Sequence, residues 1–323
     1  MKKALCVGID NYINPTNDLH GCVNDANAVK AALERNGDGT HNFDVMLMCS
    51  TSEDSYIARG MLKNAIIELF RDDVDIALFY FSGHGSFDEC GGYLCTSEVI
   101  HGDEGLSLSD LMNYASHSPA KHKIIILDCC HSGYAGTLTA MPTYSQISSG
   151  TVILTACAPN QYSMENGGHG VYTSLLIDAL YGGATTILGE VSPGSIYAYI
   201  DRSLSSWEQR PIFKANISSF VSLRSCQPQI AITELRRITD IFESASTEYP
   251  LDSTYEPDKH EVENKERNSE HEEIFRLLQK YVKLNLVVPV GEEHMYYAAI
   301  RNKSCKLTFM GQHYWNLVAK ERI

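Results

Sequence analysis

Positive charge is in short supply: 26 Lys and Arg stand against 40 Asp and Glu, a net charge of −14. That balance argues against wholesale binding to nucleic acid or anionic membrane, both of which draw affinity from neutralised phosphates. No stretch approaches the ~18 consecutive apolar residues of a bilayer-spanning helix. The opening Met1-Lys2-Lys3 ahead of Ala4 to Ile9 has the outline of a secretory leader, but the apolar core stops at Asp10 and no small-residue cleavage site follows. It is expected to be a first strand instead. The ten cysteines fall in apolar segments without the tight spacing of a disulfide framework, which points to a reducing, cytoplasmic setting. No Cys/His set has metal-ligand spacing and no internal repeat is visible, so no metal or other cofactor is expected.

Apolar material is plentiful, 44% of 323 residues, enough for the core of one large or two small domains. Two apolar runs end abruptly in reactive side chains. Ile124 to Leu127 lacks polar–apolar alternation, as suits a strand covered on both faces, and leads into Asp128-Cys129-Cys130-His131-Ser132-Gly133. Ile76 to Phe81 is also continuous and leads into Ser82-Gly83-His84-Gly85. Open α/β sheets hold their sites just beyond the carboxyl ends of strands, so a thiol and an imidazole are expected to meet there. A lone Cys or His is more often a packed thiol or a solvated ring. The pair at two strand ends, 46 residues apart, points to chemistry, with His84 handling protons and the Gly85 N–H lending itself to an oxyanion.

These residues resemble those of the caspase-like cysteine peptidases, more closely the metacaspase and bacterial orthocaspase branch than the animal caspases. Ser82 to Gly85 matches the base motif, and Asp128 to Gly133 the nucleophile motif, in which the branch has Ser where this chain has Cys129. Leu5 to Tyr12, Leu19 to Ala26, Thr155 to Glu165 and Gly170 to Thr173 follow in family order, so the likeness covers about residues 1 to 224. It implies peptide hydrolysis through a covalent intermediate, with Cys130 as nucleophile, His84 as base and the N–H groups of Gly85 and Cys130 as oxyanion donors. A thiol of pKa ~8.5 is only a few per cent ionised at neutral pH, hence the need for His84. His131, the neighbour of Cys130 on an extended strand end, points to the opposite face and is assigned a structural part.

The resemblance also implies an acidic substrate pocket, whose carboxylates correspond to Asp25 and Asp128 with Glu165 as a third candidate, and therefore cleavage after Arg or Lys. On the residues alone, Asp25 serves equally well as a helix N-cap. Many metacaspases hold calcium through an acidic pair before the nucleophile strand. Here Gly105 to Leu111 keeps only Asp110, with Asp103 and Glu104 just upstream, so calcium-independent activity is expected. Self-cleavage after a basic residue between the halves of the domain is common in the branch. No Lys or Arg occurs from Ile124 through Ile200, so activity as an intact chain is expected.

The fold class expected is α/β, a caspase-like, mostly parallel sheet flanked by helices, with a small α+β winged-helix-like C-terminal domain. Strands at Ala4–Ile9, Phe43–Met48, Ile76–Phe81, Ile124–Leu127 and Thr151–Ala156 alternate with helices. The first helix opens at Asn24 or Asp25 and buries Val29, Ala32 and Leu33; the second opens at Thr51 to Asp54 and buries Ile57, Met61, Ala65, Ile66 and Leu69. A hairpin over Cys90–Val99, a short helix from Ser107 or Ser109 through Met112, helices at Val171–Leu180 and Ser195–Trp207, and closing segments Pro211–Phe213 and Ser218–Leu223 complete this part.

Three domains are expected: a peptidase domain at 1–226, a helix with an acidic linker at 227–270, and a regulatory domain at 271–323. The middle stretch carries 5 Lys/Arg and 11 Asp/Glu; after a helix at Glu234–Ser244, residues 247–270 read as a polar linker. In the tail, Ile274, Leu277, Leu278 and Tyr281 share a helical face, Leu284–Val290 and Met295–Arg301 look strand-like, and Leu307–Gly311 with Tyr314, Leu317 and Val318 resembles the strand-to-helix close of a winged helix. Such modules read DNA with a basic helix, but the surplus here is only +3 and scattered. The resemblance to bacterial caspase-like proteases implies an effector of stress or anti-phage defence, and with it a C-terminal site for a partner or a small signalling molecule, such as a nucleotide, rather than one for nucleic acid. The competing readings are a catalytically idle scaffold and a DNA-binding regulator. Cys130, His84, Asp25 and Asp128 occurring together count against the scaffold.

Overall fold

Six apolar segments pair into one sheet: β1 (Lys2–Ile9), β2 (Asp44–Ser50), β3 (Ile76–Ser82), β4 (His122–Asp128), β5 (Thr151–Thr155) and β6 (Ile212–Asn216). The computed structural model describes residues 1–100, 105–130, 132, 135, 137–138, 141–156, 165–166, 169–204, 210–256 and 268–323. The strand order is β6-β5-β4-β3-β1-β2. Neighbours run parallel except β6 against β5. Every residue of β3 is buried, which is why its sequence shows no alternation.

Side chains nevertheless divide by parity between two cores. Ala4, Cys6, Leu78, Tyr80, Ile124 and Ile126 pack with α1 (Cys22–Glu34), α4 (Val171–Asp178) and α5 (Pro193–Ser203). Leu5, Val7, Phe79, Phe81, Ile125 and Leu127 pack on the other face with α2 (Arg59–Arg71) and α3 (Leu108–Ser116). This is a three-layer α/β/α sandwich. The chain lays β2 on one flank of β1 and then β3 on the other, so the sheet has its switch point at β1, where a crevice opens beyond the carboxyl ends.

Local boundaries differ from the sequence expectation where capping signals compete. Helix α1 begins at Cys22 with Gly21 as N-cap, and Asp10 Oδ1 accepts the Cys22 N–H at 2.8 Å. Asp25 is therefore not the cap; its N–H donates to Gly21 O at 2.9 Å. Ser52 and Ser55 form a capping box around a single 3₁₀ turn, Glu53–Ser55, so the helix expected from Thr51 starts only at Arg59 and Met61 is left exposed. The hairpin pairs Gly85–Asp88 with Gly91–Leu94, earlier than Cys90–Val99. Helix α5 ends at Ser203, and Trp207 lies outside the described residues.

The chain divides into two units, Met1–Gln227 and Pro228–Ile323. The second holds a three-stranded antiparallel sheet in which β9 (Ser304–Leu307) lies between β7 (Glu248–Pro250) and β8 (Val287–Val290). Its helices are α6 (Ile232–Arg236), α7 (Ile238–Ile241), α8 (Ser269–Lys283), α9 (Met295–Ile300) and α10 (Phe309–Ala319). Two expectations fail here. The acidic stretch taken as a linker contains strand β7, and Leu251 and Tyr255 after it are buried; residues 257–267 lie outside the described set. The expected strand at Met295–Arg301 is instead helix α9, because Met295, Ala298 and Ala299 are buried at helical spacing. The strand-to-helix step at Leu307–Phe309 is present.

Candidate active site

The register of the sheet brings the two reactive strand ends level. Ser82 of β3 pairs with Asp128 of β4, so His84 and Cys130 each stand two residues past the last pair. A cavity of about 270 Å³ opens there, lined by Leu19, Cys22, Asp25, Ser82, Gly83, His84, Asp128, Cys130 and Gly170. Of the adjacent thiols, Cys130 lines this cavity whereas Cys129 is 1% exposed and packs into the core with Leu127 and Ala135.

His84 is held from three directions. Its N–H donates to the Tyr12 hydroxyl at 2.9 Å, its ring lies against the Tyr12 ring at 5.0 Å, and its Nε2 sits 2.8 Å from the carbonyl oxygen of Asn17. A carbonyl only accepts, so Nε2 carries the hydrogen in the neutral ring and Nδ1 is the nitrogen able to take a proton. Tyr12 is buried, which raises its phenol pKa well above the ordinary range, and the hydroxyl stays neutral.

Gly85 is where the loops after β3 and β4 touch. A Cβ on this residue would lie 2.1 Å from Cys130 O and 3.2 Å from Cys129 Sγ. Gly85 faces Leu94 across the hairpin, and the ladder bond beside it runs from the Cys95 N–H to His84 O at 3.0 Å. Gly85 thus belongs to a non-hydrogen-bonded pair, and its own N–H lies outside that ladder.

Two carboxyl groups form the other side of the cavity. Asp25 lies on the face of α1 that buries Cys22, Ala26, Val29 and Leu33, a place where packing alone calls for an apolar side chain. It is 1% exposed, and Asp128 is 4% exposed. Asp25 Oδ2 accepts from the Gly170 N–H at 3.0 Å and from Ser82 Oγ at 3.3 Å, while Oδ1 meets His169 Nδ1 at 2.8 Å. Asp128 Oδ2 accepts from the Thr173 hydroxyl at 2.7 Å and from its N–H at 3.3 Å. Gly170 is wedged between them: a Cβ there would lie 2.4 Å from Asp128 Oδ2 and 3.1 Å from Asp25 Oδ2. Burial raises the Asp25 pKa to about 6, and the charge of Asp128 adds to the rise against the hydrogen bonds from Gly170 and His169. The Tyr80 phenol beside them is pushed well above its ordinary value, first by burial and then by Asp128 and Asp25.

The cavity thus collects Cys130, His84, Asp25 and Asp128, with Gly85 against Cys130. Glu165 pairs by its backbone with Gly170. His131, Asp103 and Glu104 lie outside the described residues, and Asp110 sits in the first turn of α3, its N–H bonded to Ser107 Oγ. Tyr12, Asn17, Ser82, His169 and Thr173 also bear on the site through hydrogen bonds that a sequence does not display. The only advance signal was that Tyr12, Ser82 and Thr173 fall inside the motifs of the resemblance.

The sequence profile described as Caspase domain matches residues 1–222, and the chain belongs to that family. Among curated proteins it is similar to Metacaspase-2 of Arabidopsis thaliana, 32% identical over 148 residues, covering 41% of this chain and 34% of that protein. It is also similar to Metacaspase-1 of Schizosaccharomyces pombe, 32% identical over 157 residues, covering 45% and 36%. The chain thus spans about a third of the length of these relatives. Among solved structures, protein GSU0716 from Geobacter sulfurreducens has the same fold, with a TM-score of 0.52 at 19% identity over 70% of this chain and 100% of that one. Among the described residues no helix is long and apolar enough to cross a membrane.

Proposed function

We propose that the chain is a cysteine endopeptidase that cleaves proteins after Arg or Lys. The observation that carries this reading is the single cavity lined by Cys130, His84, Asp25 and Asp128. In the proposed reaction, His84 Nδ1 takes the Cys130 proton and the thiolate attacks the scissile carbonyl. The N–H groups of Gly85 and Cys130 stabilise the oxyanion, and the imidazolium returns the proton to the leaving amine. Water, activated by the same ring, then hydrolyses the thioester. The Asn17 carbonyl holds the ring in the tautomer this needs and disperses the charge of the imidazolium.

Specificity follows from the second half of the cavity. Two buried carboxyl groups side by side suit a substrate's basic side chain, which they meet as charge-assisted hydrogen bonds. Glu165, opposite Gly170 in register, is the third candidate for that pocket. Because no Lys or Arg occurs from Ile124 through Ile200, an enzyme of this preference works as an intact chain. The second unit, with its winged-helix-like strand-to-helix step, is the candidate sensor of a partner or a small, nucleotide-like signal. A cytoplasmic effector of bacterial stress or anti-phage defence fits this build.

The dyad is tested by three substitutions. Cys130→Ala and His84→Ala should each abolish turnover of an arginyl peptide, while Cys129→Ala, in the core, should keep substantial activity. An active Cys130→Ala with a dead Cys129→Ala would shift the nucleophile by one residue.

A further inference from the structure

We propose that His169 is a positioning and specificity-determining residue of the basic pocket, which holds Asp25 as an acceptor with one lone pair turned to the incoming guanidinium. The inference rests on the cleavage after Arg proposed above. Counting acceptor positions on Asp25 gives the reason. Its Oδ2 takes both the Gly170 N–H and the Ser82 hydroxyl, so that oxygen is filled. Its Oδ1 takes His169 at 2.8 Å and retains one position. The oxygen that Asp25 offers a guanidinium is therefore the one His169 holds. A planar fork can reach that oxygen and the neighbouring Asp128 carboxyl group together; a single ammonium spans the two less well.

His169 is well placed for this task. Its side chain is 41% exposed while Asp25 is 1% exposed, so it brings a donor to a buried carboxyl group from the solvent side. It stands next to Gly170, whose lack of a side chain lets the two acids approach, so one short segment supplies both the spacing and the donor. The other titratable groups around Asp25 are Asp128 on β4, Tyr80 on β3, Cys22 on α1, and His84 and Cys130 at the strand ends, with Tyr172 on α4 acting on the Asp128 side of the pair. The hydrogen bond from His169 opposes the rise in the Asp25 pKa. Removing it therefore moves protonation of Asp25 to higher pH and turns an acceptor into an O–H that the guanidinium cannot use. His169→Asn keeps a donor for the same hydrogen bond without the imidazole ring.

The test uses two readouts on the full chain. In the Cys130→Ala protein, the Asp25 carboxyl carbon is followed by ¹³C NMR from pH 4 to 8, first with His169 intact and then with His169→Ala or His169→Asn added. Its midpoint should rise by roughly one pH unit with His169→Ala and be restored by His169→Asn. In the active protein, kcat/KM for an arginyl peptide should lose its acidic limb at correspondingly higher pH in His169→Ala, with the loss carried by KM rather than kcat, and Arg-over-Lys preference should shrink. An Asp25 midpoint unmoved by His169→Ala overturns the proposal, and so does an unmoved acidic limb in an enzyme that still cleaves after Arg. The carboxyl titration needs no turnover, so failure of wild type to cleave after Arg is a separate result that overturns the proposed specificity and, with it, the role given to His169.

Discussion

Asp25 shows most plainly how a residue can work against the fold that carries it. It occupies a helix face whose other members are apolar, and its native pKa of about 6 lies above the 3.8 of an unperturbed Asp. The native state therefore binds the proton more tightly than the unfolded chain. Stability falls as pH rises through the window from about 4 to 6, and the cost, on the order of 1–3 kcal/mol, is fully present above it. Asp25→Asn keeps the hydrogen-bonding shape and removes the charge. It should raise the melting temperature at pH 8 by a few degrees, leave it nearly unchanged at pH 4, and abolish cleavage after Arg. A variant less stable than wild type at pH 8 would show that the carboxylate is held by compensating charge. The anomaly was visible in the sequence only as an ambiguity, since an acid near a helix start reads as a cap. The buried face of α1 resolves it.

At the scale of elements, the site depends on how closely the ends of β3 and β4 approach. Gly85 sets that distance, because a methyl group there would lie 2.1 Å from the Cys130 carbonyl oxygen. Gly85→Ala should separate the loops and cost about 10²-fold in kcat, the usual penalty for an ångström of misplacement, with the cavity itself retained. Full activity in Gly85→Ala would mean that the two loops need not touch. The strands that carry the dyad were legible because both faces are covered and their apolar runs end in punctuation. Elements with weaker patterns were not. The Ser52–Ser55 box spends a helix-start signal on one turn, and the aromatic and apolar run at Met295–Ile300 fits a strand until the burial of Ala298 and Ala299 declares a helix. Contacts such as Asp25 with His169, 144 residues apart, or His84 with the Asn17 carbonyl, come from tertiary juxtaposition, and a backbone carbonyl leaves no mark in a sequence.

For the whole molecule, the division at Gln227 and Pro228 separates the proposed chemistry from the proposed control. All of the cavity-lining residues fall in the first unit, so a chain ending at Gln227 contains every group the reaction asks for. If the second unit is a sensor, this fragment should fold, and its activity should differ from that of the intact chain, either lost or freed from any signal. Unaltered activity without response to any signal would reduce the second unit to a stabilising partner. The net charge of −14 acts at the same scale, since it attracts basic polypeptides over a long range, an effect that weakens with salt.

The central claim, a Cys130–His84 peptidase with an acidic substrate pocket, is tested most directly by cleavage of a peptide library, comparing wild type with Cys130→Ala. Wild type should cut after Arg and Lys, with little cleavage elsewhere, and the Cys130→Ala protein should leave the library intact. Cleavage after acidic residues would contradict the pocket formed by Asp25 and Asp128, and undiminished cleavage by Cys130→Ala would contradict the nucleophile.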